Sequence, residues 1–427
     1  MKFLSKLIYV LGAKVRNPSL FPIYNQLKQT EFASLEELEA IQLNRLKALL
    51  KEAYTYSPFY KQLFDEHSID VNITSLNDLS TFPTISKVDL IQHNDTIHST
   101  QTFAKKLLAE TSGTSGEALA FYRNEEWDST NRAGVMRCYD WYNVKPWDKN
   151  GYFWGYNIDP NEAKKVKLLD RLQNRIRIFR YDDKSITNFA KELNSAKFLS
   201  GYSSMIYQIA KKVNQLNLKI SGIKMVKGTS EMILDAYQPE VKQAFGCKMI
   251  SEYGAAESGL IAFECPEGNM HINMENVYVE IDENKEIIVT NLVSRSFPII
   301  RYRLGDIVSL ADEQCKCGRK HTIVKEIYGR KGASIVGKTK DYPALTFYYV
   351  FKNIALKNDV LINYKAEQYR KGEVLLKVEG KPNTEWEQLI DKEMSKYFGE
   401  ELSYSIQYTN KFESQLKKQQ YFESFIK

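Results

Sequence analysis

Leucine, isoleucine and alanine recur every three or four positions through residues 34 to 56, SLEELEAIQLNRLKALLKEAYTY, and that spacing predicts an amphipathic helix. Ser34 and Glu37, three residues apart at its start, can form a capping box. Pro58 ends or kinks the helix, because its ring removes an N–H and crowds the preceding turn. Residues 185 to 217 also read as helical. Short apolar runs come next, IKMVKG and CKMISEYG, each closed by a glycine turn. Strand, turn and helix in alternation predict an α/β fold. From about residue 271 the pattern shifts to short strands: VYVEI, EIIVTN and PIIRYRLGDIVSL. A glycine-rich connector, YGRKG, occupies 328 to 332. Beyond it the order is strand, strand, a helix near 384 to 398, and strand, which predicts a small α+β domain. The expected division is a large domain over 1–330 and a small one over 331–427.

The first residues, MKFLSKLIYVLGAKV, form an amphipathic pattern with Lys2, Lys6, Lys14 and Arg16 beside Phe3, Leu4, Leu7, Ile8 and Val10. An ordinary helix packed on the domain is the expected use of such a stripe, and weak contact with a membrane surface is the other. No run approaches the roughly 20 apolar residues of a membrane span. The 427 residues carry 59 basic and 53 acidic side chains, a net charge of +6. That mild excess comes with no basic stripe interleaved with aromatics, so nucleic acid is not an expected partner. Five cysteines, an odd count in a long chain, argue against a disulfide framework and suit a cytoplasmic protein.

The chemistry concentrates in four ordered stretches. TSGTSG, 111 to 116, packs hydroxyls and glycines into a turn whose N–H groups can close around an anion. Residues 117 to 121 are EALAF, so the lysine of a Walker A loop is absent. SEYGAAESG, 251 to 259, comes after a strand; Tyr253 can stack on a base and Glu257 can ligate magnesium. In RYRLGDIV, 301 to 308, a turn is expected to present Asp306 to ribose hydroxyls. GRKG, 329 to 332, completes the series.

In this order the motifs resemble those of the adenylate-forming superfamily of acyl-CoA synthetases, peptide-synthetase adenylation domains and luciferases. The branch they are most similar to is that of phenylacetate–CoA ligases and CapK-type capsular-polysaccharide proteins. SPFYKQLFDEHSI and TFPTISKVDL resemble this branch near its N-terminus, so the likeness runs from about residue 50 to the C-terminus. The resemblance implies a large N-terminal domain, a small mobile C-terminal one, and roles residue by residue. Ser112, Gly113, Thr114, Ser115 and Gly116 would hold the ATP phosphates. Gly228, Thr229 and Ser230, in KGTSE, would flank adenine, with Glu252, Tyr253 and Gly254 at its face. Glu257 would bind Mg2+, Asp306 the ribose, and Arg330 the ribose and hinge. Many relatives carry Asp two residues after that arginine; here Gly332 stands there, and a glycine can absorb a hinge rotation. The late catalytic lysine of the family comes after a glycine that NKFESQLKKQQYFESF lacks. Lys417 is the candidate, with Lys418 and Lys411 as alternatives.

Cys265 lies six residues before His271, and Cys315 two before Cys317; three thiolates and an imidazole suit tetrahedral zinc. The resembling branch often has Cys and His here, which implies a closed structural site, with His321 in reserve. Cys138 and Cys247 are expected in the core, as are Tyr139, Trp141, Tyr142, Trp154 and Tyr156.

The implied reaction joins a small carboxylic acid to AMP and then transfers the acyl group to CoA, an amine or an amino sugar, with a place in surface-polysaccharide biosynthesis. Two other readings stay open: an adenylyltransferase that leaves AMP on its product, and a non-catalytic nucleotide-binding scaffold.

Overall fold

The computed structural model describes residues 2–111, 119–153, 163–178, 183–330, 334–358, 360–410, 412 and 421–426. The chain divides into two compact units, one of residues 1–147 with 252–327, the other of 148–251 with 328–427.

In the first unit the predicted long helix is Leu35–Tyr56. Ser34 Oγ accepts from the Glu37 N–H at 3.2 Å, and Glu37 Oε2 accepts from the Ser34 N–H at 2.8 Å, closing the capping box. The helix stops at Tyr56, as expected: Ser57, before the proline, is extended (φ −104°, ψ 113°), and Pro58 opens a new helix, Pro58–Glu66, where its missing N–H costs no hydrogen bond. Leu38, Leu46, Leu49 and Leu50 of the long helix join Tyr60, Phe64, Phe121, Trp127, Ile261 and Phe297 in the main core. Strands Met249–Ala255, Gly259–Glu264, Met270–Ile272 and Ile323–Arg330 run antiparallel in that order. Val277–Ile281, Glu286–Asn291 and Tyr302–Ala311 make a second antiparallel run.

A buried ion pair ties this unit together. The Arg137 guanidinium, in helix Glu125–Asp140, holds both oxygens of Glu275 and donates to Asn273 Oδ1 at 2.7 Å and to the Leu27 carbonyl at 3.2 Å. Thr30 Oγ1 donates to the same carboxylate at 2.6 Å, and His321 Nε2 lies 3.2 Å from it. Burial opposes charge on Glu275, but the guanidinium beside it holds the carboxyl well below its ordinary range.

In the second unit, strands Met225–Thr229, Phe198–Tyr202, Asn150–Phe153 and Arg175–Arg177 pair in parallel in that order. The helix expected over 185 to 217 is two helices, Asp183–Leu193 and Ser203–Gln215, with the strand Phe198–Tyr202 between them. Ser195, at φ 82°, turns the chain out of the first helix. The strand is buried along four of its five residues, on both faces, so it carries no clear apolar–polar alternation to separate it from helix. A separate core gathers Ile335, Phe347, Val350, Leu376, Ile390 and Phe422. There the expected strand, strand, helix, strand order is Tyr364–Arg370, Glu373–Glu379, Thr384–Phe398 and Ser403–Thr409. A helix, Leu345–Asn358, and a short strand, Phe422–Ser424, add to it.

Replacing Glu275 by alanine would strand the Arg137 charge in the interior, and the loss expected for a broken buried pair is about 3–5 kcal/mol. Thermal unfolding should show a large drop in Tm for Glu275→Ala and a smaller one for Glu275→Gln.

Candidate functional site

Tyr253, Glu257 and Asp306 come together in the first unit. Tyr253 and Glu257 sit on the hairpin of Met249–Ala255 and Gly259–Glu264, which admits no side chain at its crossing: a Cβ on Gly254 would stand 2.3 Å from the Gly259 carbonyl oxygen. Gly259 itself is at φ +72°. Asn131 Oδ1 accepts from the Leu260 N–H at 2.7 Å and holds the returning strand. The Asn291 amide donates to the carbonyls of Glu257 and Ser258, each at 3.2 Å, and fixes the turn between the strands.

Asp306, expected in a turn, lies inside the strand Tyr302–Ala311. The pairing shifts there: Ile288 faces Arg303 and Glu286 faces Ile307, so Leu304, Gly305 and Asp306 share the one position of Ile287. Gly305, at φ +83°, allows this bulge, and the bulge re-aims Asp306. Tyr253 Oη donates to Asp306 Oδ2 at 2.8 Å across 53 residues of sequence. The Glu257 carboxylate is buried, 3.5 Å from the Tyr302 hydroxyl.

Sequence reasoning did not find Arg123. It shares the inward face of the strand Ala120–Asn124 with Phe121, and its guanidinium lies over the rings of Phe121 and Trp127. Its Nη2 donates to the Ala256 carbonyl at 2.7 Å, next to Glu257. Burial lowers its pKa, opposed by the charges of Asp128 and Glu257. The signal available was a charged residue in an inward strand position.

Strands Lys106–Glu110 and Ala120–Asn124 pair antiparallel, and Thr111 and Leu119 are tied by two hydrogen bonds of 2.9 Å. The phosphate-loop candidates Ser112, Gly113, Thr114, Ser115 and Gly116 fall between these two residues in sequence and lie outside the described residues. Lys411, Lys417, Lys418, Gly332, Trp154 and Tyr156 also lie outside them. Arg330 ends the strand Ile323–Arg330. Tyr139 is buried, while Trp141 packs on Phe263 and His271.

In the second unit, Gly228 and Thr229 end the strand Met225–Thr229, and Ser230 comes next at φ 66°. Gly228 has no room for a Cβ, which would meet Ser203 Oγ at 2.5 Å. Glu231 accepts from the Ser204 N–H at 2.9 Å, so this segment is fastened to the start of the helix Ser203–Gln215. Tyr421 Oη donates to the Met232 carbonyl at 2.8 Å and meets Tyr237 Oη at 3.1 Å, which brings the C-terminal strand to the same segment.

Cys265, His271, Cys315 and Cys317 place one donor atom each within 4.8 Å of one another. Cys317 Sγ is 3.2 Å from His271 Nε2, and Cys265 Sγ is 3.6 Å from Cys315 Sγ. His271 Nδ1 lies 3.2 Å from the His321 carbonyl, an arrangement that leaves Nε2 for a metal. Burial pushes the Cys265 thiol up to about 12 and the imidazole of His271 down to about 4. Burial also acts to raise Cys315, but N–H and thiol donors around its sulfur bring it below the usual thiol value. The donor set and its closeness fit a closed four-ligand metal centre. His321, the reserve ligand, turns its Nε2 to Glu275 instead. Cys138 and Cys247 lie apart from this set, each pushed up by burial, to about 12 and about 11.

No family model matches the chain. Over 307 residues, 68% of this chain and 68% of the relative, it is 24% identical to protein CapK of Staphylococcus aureus. Over 310 residues, 67% of this chain and 70% of the relative, it is 26% identical to phenylacetate-coenzyme A ligase of Escherichia coli (strain K12). The chain is a relative of CapK and the phenylacetate–CoA ligases. Its fold is that of the adenylate-forming CoA ligases: the crystal structure of 2-hydroxyisobutyryl-CoA ligase in the postadenylation state, in complex with 2-HIB-AMP, matches with a TM-score of 0.73 at 15% identity, over 93% of this chain and 91% of that one.

Gly254→Ala is expected to force the hairpin apart. An overpacking cost of about 1–3 kcal/mol should appear as a lower Tm. The tyrosine ultraviolet absorbance of the variant should also shift as Tyr253 loses Asp306.

Proposed function

We propose that this CapK and phenylacetate–CoA ligase relative activates a small carboxylic acid with ATP and passes the acyl group to CoA, an amine or an amino sugar. In the first step a carboxylate oxygen attacks the α-phosphorus; the bond to the β-phosphate oxygen breaks, and pyrophosphate leaves. In the second step the thiol or amine attacks the acyl carbon and AMP departs with the electron pair of the broken C–O bond. The observation that carries this reading is the Tyr253–Asp306 hydrogen bond, which joins two motifs distant in sequence, with the buried Glu257 of the first motif 3.5 Å from Tyr302 of the second. CoA as acceptor draws support from the phenylacetate–CoA ligase relative; the amine or amino-sugar acceptor and the place in surface-polysaccharide synthesis rest on the motif resemblance alone.

In this reading Ser112, Gly113, Thr114, Ser115 and Gly116 cradle the phosphates, and Thr114 takes part in the transfer. Gly228, Thr229 and Ser230 border adenine, together with Glu252, Tyr253 and Gly254. Asp306 accepts from the ribose hydroxyls while Tyr253 orients its carboxylate. Arg330 serves the ribose and the hinge. Glu257 is the protein ligand for Mg2+, which would neutralise charge building on the phosphate oxygens. Lys417 is the proposed catalytic lysine. The part beyond residue 330 is the proposed mobile domain, turning at GRKG. Zinc is the proposed occupant of the Cys265, His271, Cys315 and Cys317 site, with a structural role.

Glu257→Ala and Asp306→Ala should each reduce acid-dependent ATP–pyrophosphate exchange by about 10²–10³, the scale for losing one preorganised charge-stabilising group. Wild-type exchange in either would remove the assignment. Product mass, an acyl thioester or amide against an AMP adduct, identifies the step after adenylation.

Zinc binding should strengthen with pH. The buried Cys265 thiol must lose its proton to ligate, whereas the buried His271 is already neutral above its depressed value. Competition with a chromogenic chelator should therefore show tighter zinc at about pH 8 than at about pH 6. Cys315→Ser should lose the metal by elemental analysis.

A further inference from the structure

An amphipathic helix on a folded domain ordinarily turns its apolar stripe to the core. The helix Lys2–Arg16 turns its stripe outward. Its inward side is Ser5, Tyr9 and Ala13: the Tyr9 ring packs 5.5 Å from Trp147, and its hydroxyl lies 3.9 Å from Met136 Sδ. On the opposite side Phe3, Leu4, Leu7, Leu11 and Val15 are 81%, 59%, 45%, 53% and 80% exposed. At 3.6 residues per turn, Phe3, Leu7, Leu11 and Val15 form one line facing away from Tyr9 and Ala13. The helix is docked at its end. Asn17 donates to Asp128 Oδ2 at 2.9 Å and to Ser129 Oγ at 3.1 Å, and Lys105 Nζ caps the carbonyls of Val15 and Arg16 at 3.1 and 2.8 Å.

We propose that this helix seats the protein on an anionic membrane surface, its outward line entering the boundary between headgroups and acyl chains. The charge pattern selects that occupant. Lys14 stands beside the outward line, Lys6 Nζ lies 5.8 Å over the Trp147 ring towards the inward side, and the helix has basic but no acidic residues, so its positive charge complements anionic headgroups. A second copy would bring the same positive charges against these. The helix is also about 22 Å long, and a strip of that length and one helix wide covers far less than the roughly 800 Å² per partner of a stable protein interface. The inference stands independently of the ligase reading, because the helix shares no residue with the nucleotide site.

Flotation of the full chain with phosphatidylglycerol-containing vesicles tests it. The wild type should float with them, remain behind with pure phosphatidylcholine vesicles, and release as salt is raised. The double variant L7D/L11D, at solvent-facing positions, should keep the wild-type Tm and lose at least about tenfold in partitioning. No flotation of the wild type with anionic vesicles would overturn the proposal, as would equal flotation of a folded L7D/L11D. A wild-type dimer that L7D/L11D converts to a monomer, without vesicle binding, would assign the stripe to a second copy and overturn it too.

Discussion

One carboxylate with one guanidinium around it organises the first unit. Glu275 is almost wholly removed from solvent, and Arg137 against it, with His321 beside it, holds its carboxyl well below the ordinary range. Desolvation makes such a pair a weak net source of stability, but it makes every partner obligatory once the charge is inside. Those partners come from distant parts of the chain: Thr30 and the Leu27 carbonyl near the N-terminus, Asn273 beside the glutamate, and His321 beyond the cysteines. The pair thus specifies which segments meet, a task that apolar contacts perform with less discrimination.

The four-ligand centre extends the same constraint. Arg319, next but one after Cys317, lies 4.2 Å over the Trp141 ring and pairs with Glu31, one residue after Thr30. His321 presents its carbonyl to His271 and its ring to Glu275. The cysteine–histidine cluster and the ion pair are therefore adjoining parts of one polar core, and the hairpin that bears Tyr253 and Glu257 runs directly into it at Cys265. A metal held here would act on the proposed nucleotide site through position alone.

Much of this was legible in the sequence where local chemistry decides the structure. The Ser34–Glu37 capping box and the order of elements after residue 360 rest on residue types at short spacing, whereas joining Cys265 and His271 to the distant Cys315 and Cys317 drew on the family resemblance as well as on the donor types. The strand at 198–202 was not legible, because a strand covered on both faces loses its alternation and merges with the helices beside it. The helix Leu345–Asn358 is rich in Tyr, Phe and Val, residues that favour strands until packing overrules them. The Arg137–Glu275 pair was beyond reach, since its meaning lies in a partner more than a hundred residues away.

The strand that carries Asp306 holds two residues more than its neighbour needs. Val308 and Tyr302 would both keep their inward orientation if two of Leu304, Gly305 and Asp306 were excised, because a step of two preserves the pleat. The sheet would then gain ladder hydrogen bonds and become more regular. Folding alone supplies no reason to keep the surplus. What the excision would take away is the aim of one carboxylate toward one tyrosine, so the irregularity marks where the architecture yields to chemistry.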